Sequence, residues 1–201
     1  MINKKFLAAI EKQHAAYERA YRKLVEDANR SLHLAKRAIF AFHRGDRNVG
    51  ESLLGEAEKL LGAVGNQFKQ EPALEFEGAY RAALEEFVEA RLFGQFLSKK
   101  SLGAVPSFQA IDPEVYLGGL ADLTGELVRY GVGRATVYDI KEVHRAKETL
   151  DQVMTFLVGL DLTGYLRTKY DQAKNSARRM EEIVYQMSVS ACLNRDYDPF
   201  D

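Results

Sequence analysis

The chain has 201 residues, 46% hydrophobic and 28% charged, with a formal net charge of −1; the composition suits a single globular domain, 1–201, and excludes a collagen-like or low-complexity chain. A lone cysteine, Cys192, rules out an internal disulfide or a thiolate zinc site, so a reducing, cytoplasmic setting is expected. No apolar run approaches the ~20 residues of a membrane span, no membrane association is expected, and MINKKFLAAIEKQH turns charged too soon for a secretion signal.

From Asn3 to His43 the residues Phe6, Ile10, Tyr17, Tyr21, Leu24, Ala28, Leu32, Ala35, Ile39 and Phe42 recur every three or four positions. The spacing predicts one helix of ~60 Å at ~1.5 Å per residue, stopped at Gly45-Asp46. Charge is concentrated here: the first fifty residues carry eleven Lys and Arg against five Asp and Glu, a local +6. A second helix is expected over 48–70, punctuated by Glu71-Pro72, and a third from there to Lys100. Ser101 to Ile111, with Gly103 and Pro106, reads as a loop. Asp112-Pro113 offers an N-cap with proline at the first helical position, opening a fourth helix to Val132. A connector over 133–139 leads to a fifth helix, 140–158, and Asp161 is read as the cap of a sixth that reaches Cys192, with a coil tail over 194–201. The expected fold is an all-α bundle of six to seven helices. A ~60 Å helix outruns a compact domain of this length, and the first and sixth helices carry apolar or aromatic residues on more than one face, so self-association is expected.

Two carboxylate pairs stand out. In LEEFVEARLF, Glu86 and Glu89 are three apart and share a helix face with Ala79, Ala82, Ala90 and Phe93, a lane where acids are unexpected; Glu85 points away, toward solvent. In YLGGLADLTGELVRYG, Asp122 and Glu126 are four apart on a strip with Gly118, Gly119, Gly125 and Arg129, opposite a leucine strip. Glycines beside acids admit a ligand or another backbone at some cost in helix propensity. Four carboxylates would suit Mg²⁺ or Mn²⁺ rather than zinc, because hard cations prefer oxygen ligands. The same spacing also fits solvated helix-face acids paired with Arg91 and Arg129, and it does not by itself choose between the two.

Other patterns are weaker. Glu11 and His14 form a single ExxH where a di-iron bundle needs two, and His14, His33, His43 and His144 are scattered. There is no Walker loop and no GxSxG. The basic first helix is a candidate nucleic-acid surface: Arg19, Arg22, Lys23, Arg30, Lys36, Arg37, Arg44 and Arg47 offer phosphate contacts, with His43 beside them and Tyr17 and Tyr21 as aromatic faces. The plainer alternative is the solvated side of a long helix.

Several blocks together resemble the translin family: HAAYER (14–19), IFAFHR (39–44), EEFVEARLFGQFLSKKSL (85–102), YLGGLADLTGELVRYGV (116–132) and KYDQAKNSARRMEEIVYQMSV (169–189), in one order across about 14–190. The two carboxylate pairs side with the translin-associated factor X branch, whose nuclease acids fall in ExxEA and ADLTGEL motifs. By position, the resemblance implies that Glu86, Glu89 and Asp122 are catalytic and metal-binding, with Glu126 a fourth metal-associated acid. It further implies a seven-helix protomer in a hollow octamer that cleaves single-stranded RNA with Mg²⁺ (or Mn²⁺). The first-helix basic residues and Arg129 would position RNA, and single-stranded DNA as well, without reading its sequence. The chain departs from that branch in lacking a basic N-terminal extension and a long insert after the third helix, as a compact archaeal or bacterial homologue working as a homo-oligomer would. Translin itself lacks the full acid set, so the alternative is a non-catalytic single-stranded DNA/RNA-binding protein.

Overall fold

The computed structural model describes residues 2–68, 71–105 and 111–195. Six α-helices and one 3-10 turn make up its regular structure among these residues: α1 Lys4–His43, α2 Arg47–Gln67, the turn Pro72–Phe76, α3 Gly78–Leu97, α4 Pro113–Ala135, α5 Ile140–Val158 and α6 Gly164–Arg195. The all-α expectation holds. The chain divides into two compact units, 1–115 and 116–201.

In the first unit, α1 packs against α2 and α3. Asn3 caps α1, its side chain accepting from the Phe6 N–H at 3.1 Å, and residues 2–15 are exposed. From Leu24 onward the inward face of α1 is lined by small residues: Ala28, Ala35, Ala38 and Ala41 are fully buried, and the Ser31 hydroxyl donates to the Ala57 carbonyl at 3.2 Å. Such a face lets α2 approach closely. Leu54, Leu61 and Val64 of α2, and Phe87, Leu92 and Phe93 of α3, complete the core. Arg91 of α3 ties to α2 through Glu51 at 3.0 Å and Glu58 at 2.7 Å, and an Arg47 guanidinium N–H donates to the Leu97 carbonyl at the end of α3. Arg81 pairs with Asp112 at 3.2 Å and Glu114 at 2.6 Å, anchoring the start of α4.

In the second unit, Leu120, Leu123 and Leu127 of α4 are buried, as are Val143, Ala146, Leu150, Val153 and Leu157 of α5 and Ala173, Met180 and Ile183 of α6. α5 packs on α6. Tyr130 of α4 donates its hydroxyl to Glu142 of α5 at 2.7 Å, and Arg145 holds the same carboxylate at 2.6 Å. Burial, then the Glu142 hydrogen bond, pushes the Tyr130 phenol above its ordinary value.

The element ends correct the expectations in a consistent way. α1 stops at Gly45 (φ +86), with Asp46 N–H donating to the Ala41 carbonyl at 2.9 Å and Gly45 N–H to Phe42 at 3.0 Å, the Schellman arrangement. The same arrangement ends α3 at Lys99 (φ +56) and α4 at Tyr138 (φ +54), neither a glycine. Hence the third helix stops at Leu97 instead of Lys100, and the fourth runs past Val132 and Gly133 to Ala135. α2 spans Arg47–Gln67, starting one residue before the expected 48 and already ended at Phe68, while 69–70 of the expected helix lie outside the described residues; Pro72 opens a 3-10 turn. Asp139 caps α5, accepting from Glu142 N–H at 3.3 Å. Asp161 does not cap α6: Gly164 (φ +53) opens that helix, and Thr163 supplies the first accepting carbonyl, to Arg167 N–H at 3.3 Å. α6 continues beyond Cys192 to Arg195, so 194–195 are helical; 196–201 of the expected tail and 106–110 of the expected loop lie outside the described residues. No helix among the described residues is long and apolar enough to cross a membrane.

Candidate carboxylate centre and nucleic-acid interface

Glu86 and Glu89 sit one turn apart on α3, in the first unit. Glu89 lies between buried Val88 and Ala90 and is only 8% exposed, one of few polar side chains so deep. A carboxylate at that depth is costly unless positive charge or hydrogen bonds answer it. Glu86 is 18% exposed at its side chain, and Lys36 of α1 brings its ammonium to 3.6 Å. Glu85 is half-buried rather than solvated. Arg91 is not the partner of these acids: it serves Glu51 and Glu58 of α2 and lies 5.2 Å over the Phe87 ring.

Asp122 and Glu126 sit one turn apart on α4, in the second unit. Lys169 of α6 places Nζ 2.5 Å from Asp122 Oδ2, with side-chain exposures of 15% and 28%. The same ammonium lies 5.4 Å from the Tyr165 ring centroid. Arg129 reaches Glu126 at 3.7 Å, as its spacing foretold. Beside them Gly125 is exposed, and a Cβ there would meet nothing within 4 Å, so the surface next to the acids is open. Lys36 and Lys169 escaped attention as acid partners because each is far from its acid in sequence and only helix packing joins them.

The donor set is all carboxylate, which fits a hard divalent cation by type. Among the described residues no group of three or more His, Cys, Asp or Glu stands ready to hold a metal ion. Basic side chains already stand against acids of this set: Lys36 on Glu86, Lys169 on Asp122 and Arg129 on Glu126.

On α1, at about 100° per residue, Arg19, Arg22, Lys23, Arg30 and Arg37 fall on one exposed side, with Phe40 and, just past the helix end, Arg44. Arg44 pairs with Asp46 at 3.2 Å, an exposed local contact that a phosphate can displace, whereas Lys23 pairs at 2.8 Å with Asp27, itself only 6% exposed, which holds that lysine more firmly. Lys36 turns toward Glu86. His43 is half-buried, its ring centroid 4.7 Å from that of Phe93. Tyr17 and Tyr21 face each other at 6.3 Å, and the Tyr17 hydroxyl donates to Glu77 at 3.0 Å, which holds that phenol above its ordinary value. These tyrosines are thus spent on the first unit's own packing, and Phe40, 51% exposed, is the aromatic that stands out among the arginines.

The translin family model matches residues 20–191. The chain belongs to the translin family. It is 28% identical to Translin-associated protein X of Pongo abelii in an alignment covering 92% of this chain and 77% of that protein. It is 31% identical to Translin of Gallus gallus over 87 residues, 43% of this chain and 38% of that one. The structure described as the AfC3PO–duplex RNA complex superposes with a TM-score of 0.84 at 23% identity, covering 92% of this chain and 97% of that one, a likeness of translin fold.

Proposed function

We propose that this translin-family chain binds single-stranded RNA, and single-stranded DNA by the same backbone contacts, and is a Mg²⁺- (or Mn²⁺-) dependent endoribonuclease. The observation that carries the reading is Glu89, a carboxylate 8% exposed on a helix face it shares with Glu86. Membership of the family and the factor X-like motifs around Glu86, Glu89 and Asp122 support it, and the duplex RNA in the AfC3PO complex supports RNA as the class of ligand. Glu86, Glu89 and Asp122 would hold one or two such cations, and Glu126, one turn from Asp122, would support them. A divalent cation in such a place supplies charge neutralisation at a phosphodiester and a more acidic water. The exposed arginines of α1, with Lys36 and His43 near them, would hold the strand by its phosphates, and Arg129 would steady it near Asp122.

Self-association belongs to the same proposal, as a hollow octamer. It is supported by Ile2, 75% exposed just before α1, by Phe6, Leu7 and Ile10, which are 60%, 49% and 46% exposed along its start, and by Tyr185 at 70% on α6. Light scattering on the purified chain tests it.

A second reading, the non-catalytic single-strand binder, is favoured by the basic partners already seated on Glu86, Asp122 and Glu126. Labelled single-stranded RNA incubated with Mg²⁺ or with EDTA separates the two. Metal-dependent cleavage lost in Glu86→Ala and Asp122→Ala, with binding retained, supports the nuclease; no cleavage by the wild type at any Mg²⁺ or Mn²⁺ concentration leaves the binder.

A further inference from the structure

Among the described residues some acid–base pairs are local, three or four residues apart on one helix, such as Lys147–Asp151 and Arg179–Glu182. Lys169–Asp122 is one of those that join two helices. Its partners are 47 residues apart, it joins α6 to α4, and both side chains are largely withdrawn from water. Withdrawal strengthens the attraction relative to an exposed pair and makes a lost partner more costly. Tyr165 lies 5.4 Å away and holds the ammonium from another side. Lysine, a compact point charge on a flexible stem, is suited to occupy a cation position and to leave it; the rigid fork of an arginine is less so.

We propose that Lys169 is a built-in counter-ion for Asp122, occupying the carboxylate that a divalent cation takes and displaced when that cation binds. The inference rests on the reading of Asp122 as a metal-associated acid. It assigns Lys169 a positioning role: the ammonium holds the Asp122 carboxylate in place while no metal is present, and it sets the threshold at which metal enters. Lys36 on Glu86 is a poorer counter-ion, at 3.6 Å and 52% exposed, where water screens it.

Mn²⁺ titration of the RNA-free, full-length chain at one pH and ionic strength, read from the free-Mn²⁺ paramagnetic signal, tests this without any activity measurement. Lys169→Met is expected to bind Mn²⁺ roughly tenfold tighter than the wild type, the worth of one charge-assisted hydrogen bond to a carboxylate. Lys169→Gln, which keeps a donor but no charge, shows the same gain, and serves alone if the Met variant does not fold. Lys169→Arg stays near the wild type, and in an Asp122→Asn background the Lys169→Met gain disappears. Unchanged or weaker binding in both neutral variants, while the wild type binds Mn²⁺, overturns the counter-ion and leaves the metal-site reading standing. An equal gain in Lys36→Met overturns it too, because removal of any positive charge would then suffice. Absence of Mn²⁺ binding in the wild type and in both neutral variants removes the metal reading and this inference together.

Discussion

The Phe42 ring fills the space where a side chain on Gly50 would sit: a Cβ there would lie 2.3 Å from Phe42 Cε1. Phe42 is 4% exposed and meets Phe93 edge-on at 6.3 Å, so the ring has little room to retreat. Overpacking of this kind costs about 1–3 kcal/mol, and the better helix propensity of alanine returns up to about 1 kcal/mol. Gly50→Ala is therefore expected to destabilise the chain by about 1 kcal/mol. Gly55, five residues along the same helix, has nothing within 4 Å of a built Cβ, so Gly55→Ala is expected to stabilise by about 0.5–1 kcal/mol. Urea unfolding of the two variants, read for opposite signs, checks the α1–α2 crossing.

Helix existence was plain in the sequence because α1, α2 and α5 repeat their apolar residues at helical spacing; the structure adds that Asn3 and Asp139 cap α1 and α5 with side chains that accept from the helix. Helix ends were legible where glycine takes the left-handed position, at Gly45, and illegible where Lys99 and Tyr138 take it, because no local signal marks a non-glycine there. Gly133 misled in the opposite direction: it sits inside α4 facing open space. The acids were visible as anomalies on an apolar lane, but Lys36, Lys169 and the turn of Arg91 toward α2 depend on which helices pack together, and periodicity does not carry that.

If Glu86 and Asp122 carry the chemistry, Glu86→Ala and Asp122→Ala should each lower Mg²⁺-dependent cleavage of single-stranded RNA by about 100-fold or more, the scale for removing one electrostatic contributor at a reacting centre. Binding of the same RNA in EDTA should persist in both, because the exposed arginines of α1 are untouched. Glu85→Ala, a neighbour of Glu86 outside the proposed acid set, should keep its activity. Single-turnover cleavage beside fluorescence anisotropy reads both quantities. Parallel loss of binding in the two acid variants would argue that the acids only hold the fold.

Tyr80 gives a pH prediction. It is 3% exposed and stacked edge-on against Phe68 at 4.9 Å. Burial first, and then the charge of Glu75, raises its phenol well above the ordinary value. With the folded-state value raised, the unfolded chain loses this proton first, so Tyr80 contributes stability that is intact below the ordinary tyrosine value of about 10. Stability then falls as pH climbs above that value. Tyr80→Phe removes the contribution, and its unfolding midpoint in urea should drop less between pH 9 and pH 11 than that of the wild type, both values bracketing about pH 10. Equal drops would place the phenol in contact with water.

The exposed arginines of α1 make the sharpest claim about nucleic acid. Each Lys or Arg that neutralises a phosphate of a single strand releases condensed counter-ions, so the logarithm of affinity falls with the logarithm of salt by about 0.7 per contact. Arg30→Ala and Arg37→Ala should each weaken single-stranded RNA and DNA alike, whatever the sequence, and each should lower the steepness of the salt dependence by about 0.7. Lys141, exposed on α5 and outside the proposed contact set, is the control whose loss should leave the slope alone. Phe40→Ala should behave differently from the arginines: a ring that stacks on a base contributes affinity that salt does not screen, so its loss should lower affinity about fivefold or more at an unchanged slope. Anisotropy titrations at several salt concentrations separate the two kinds of contact. A slope that survives removal of both arginines would move the binding surface off α1.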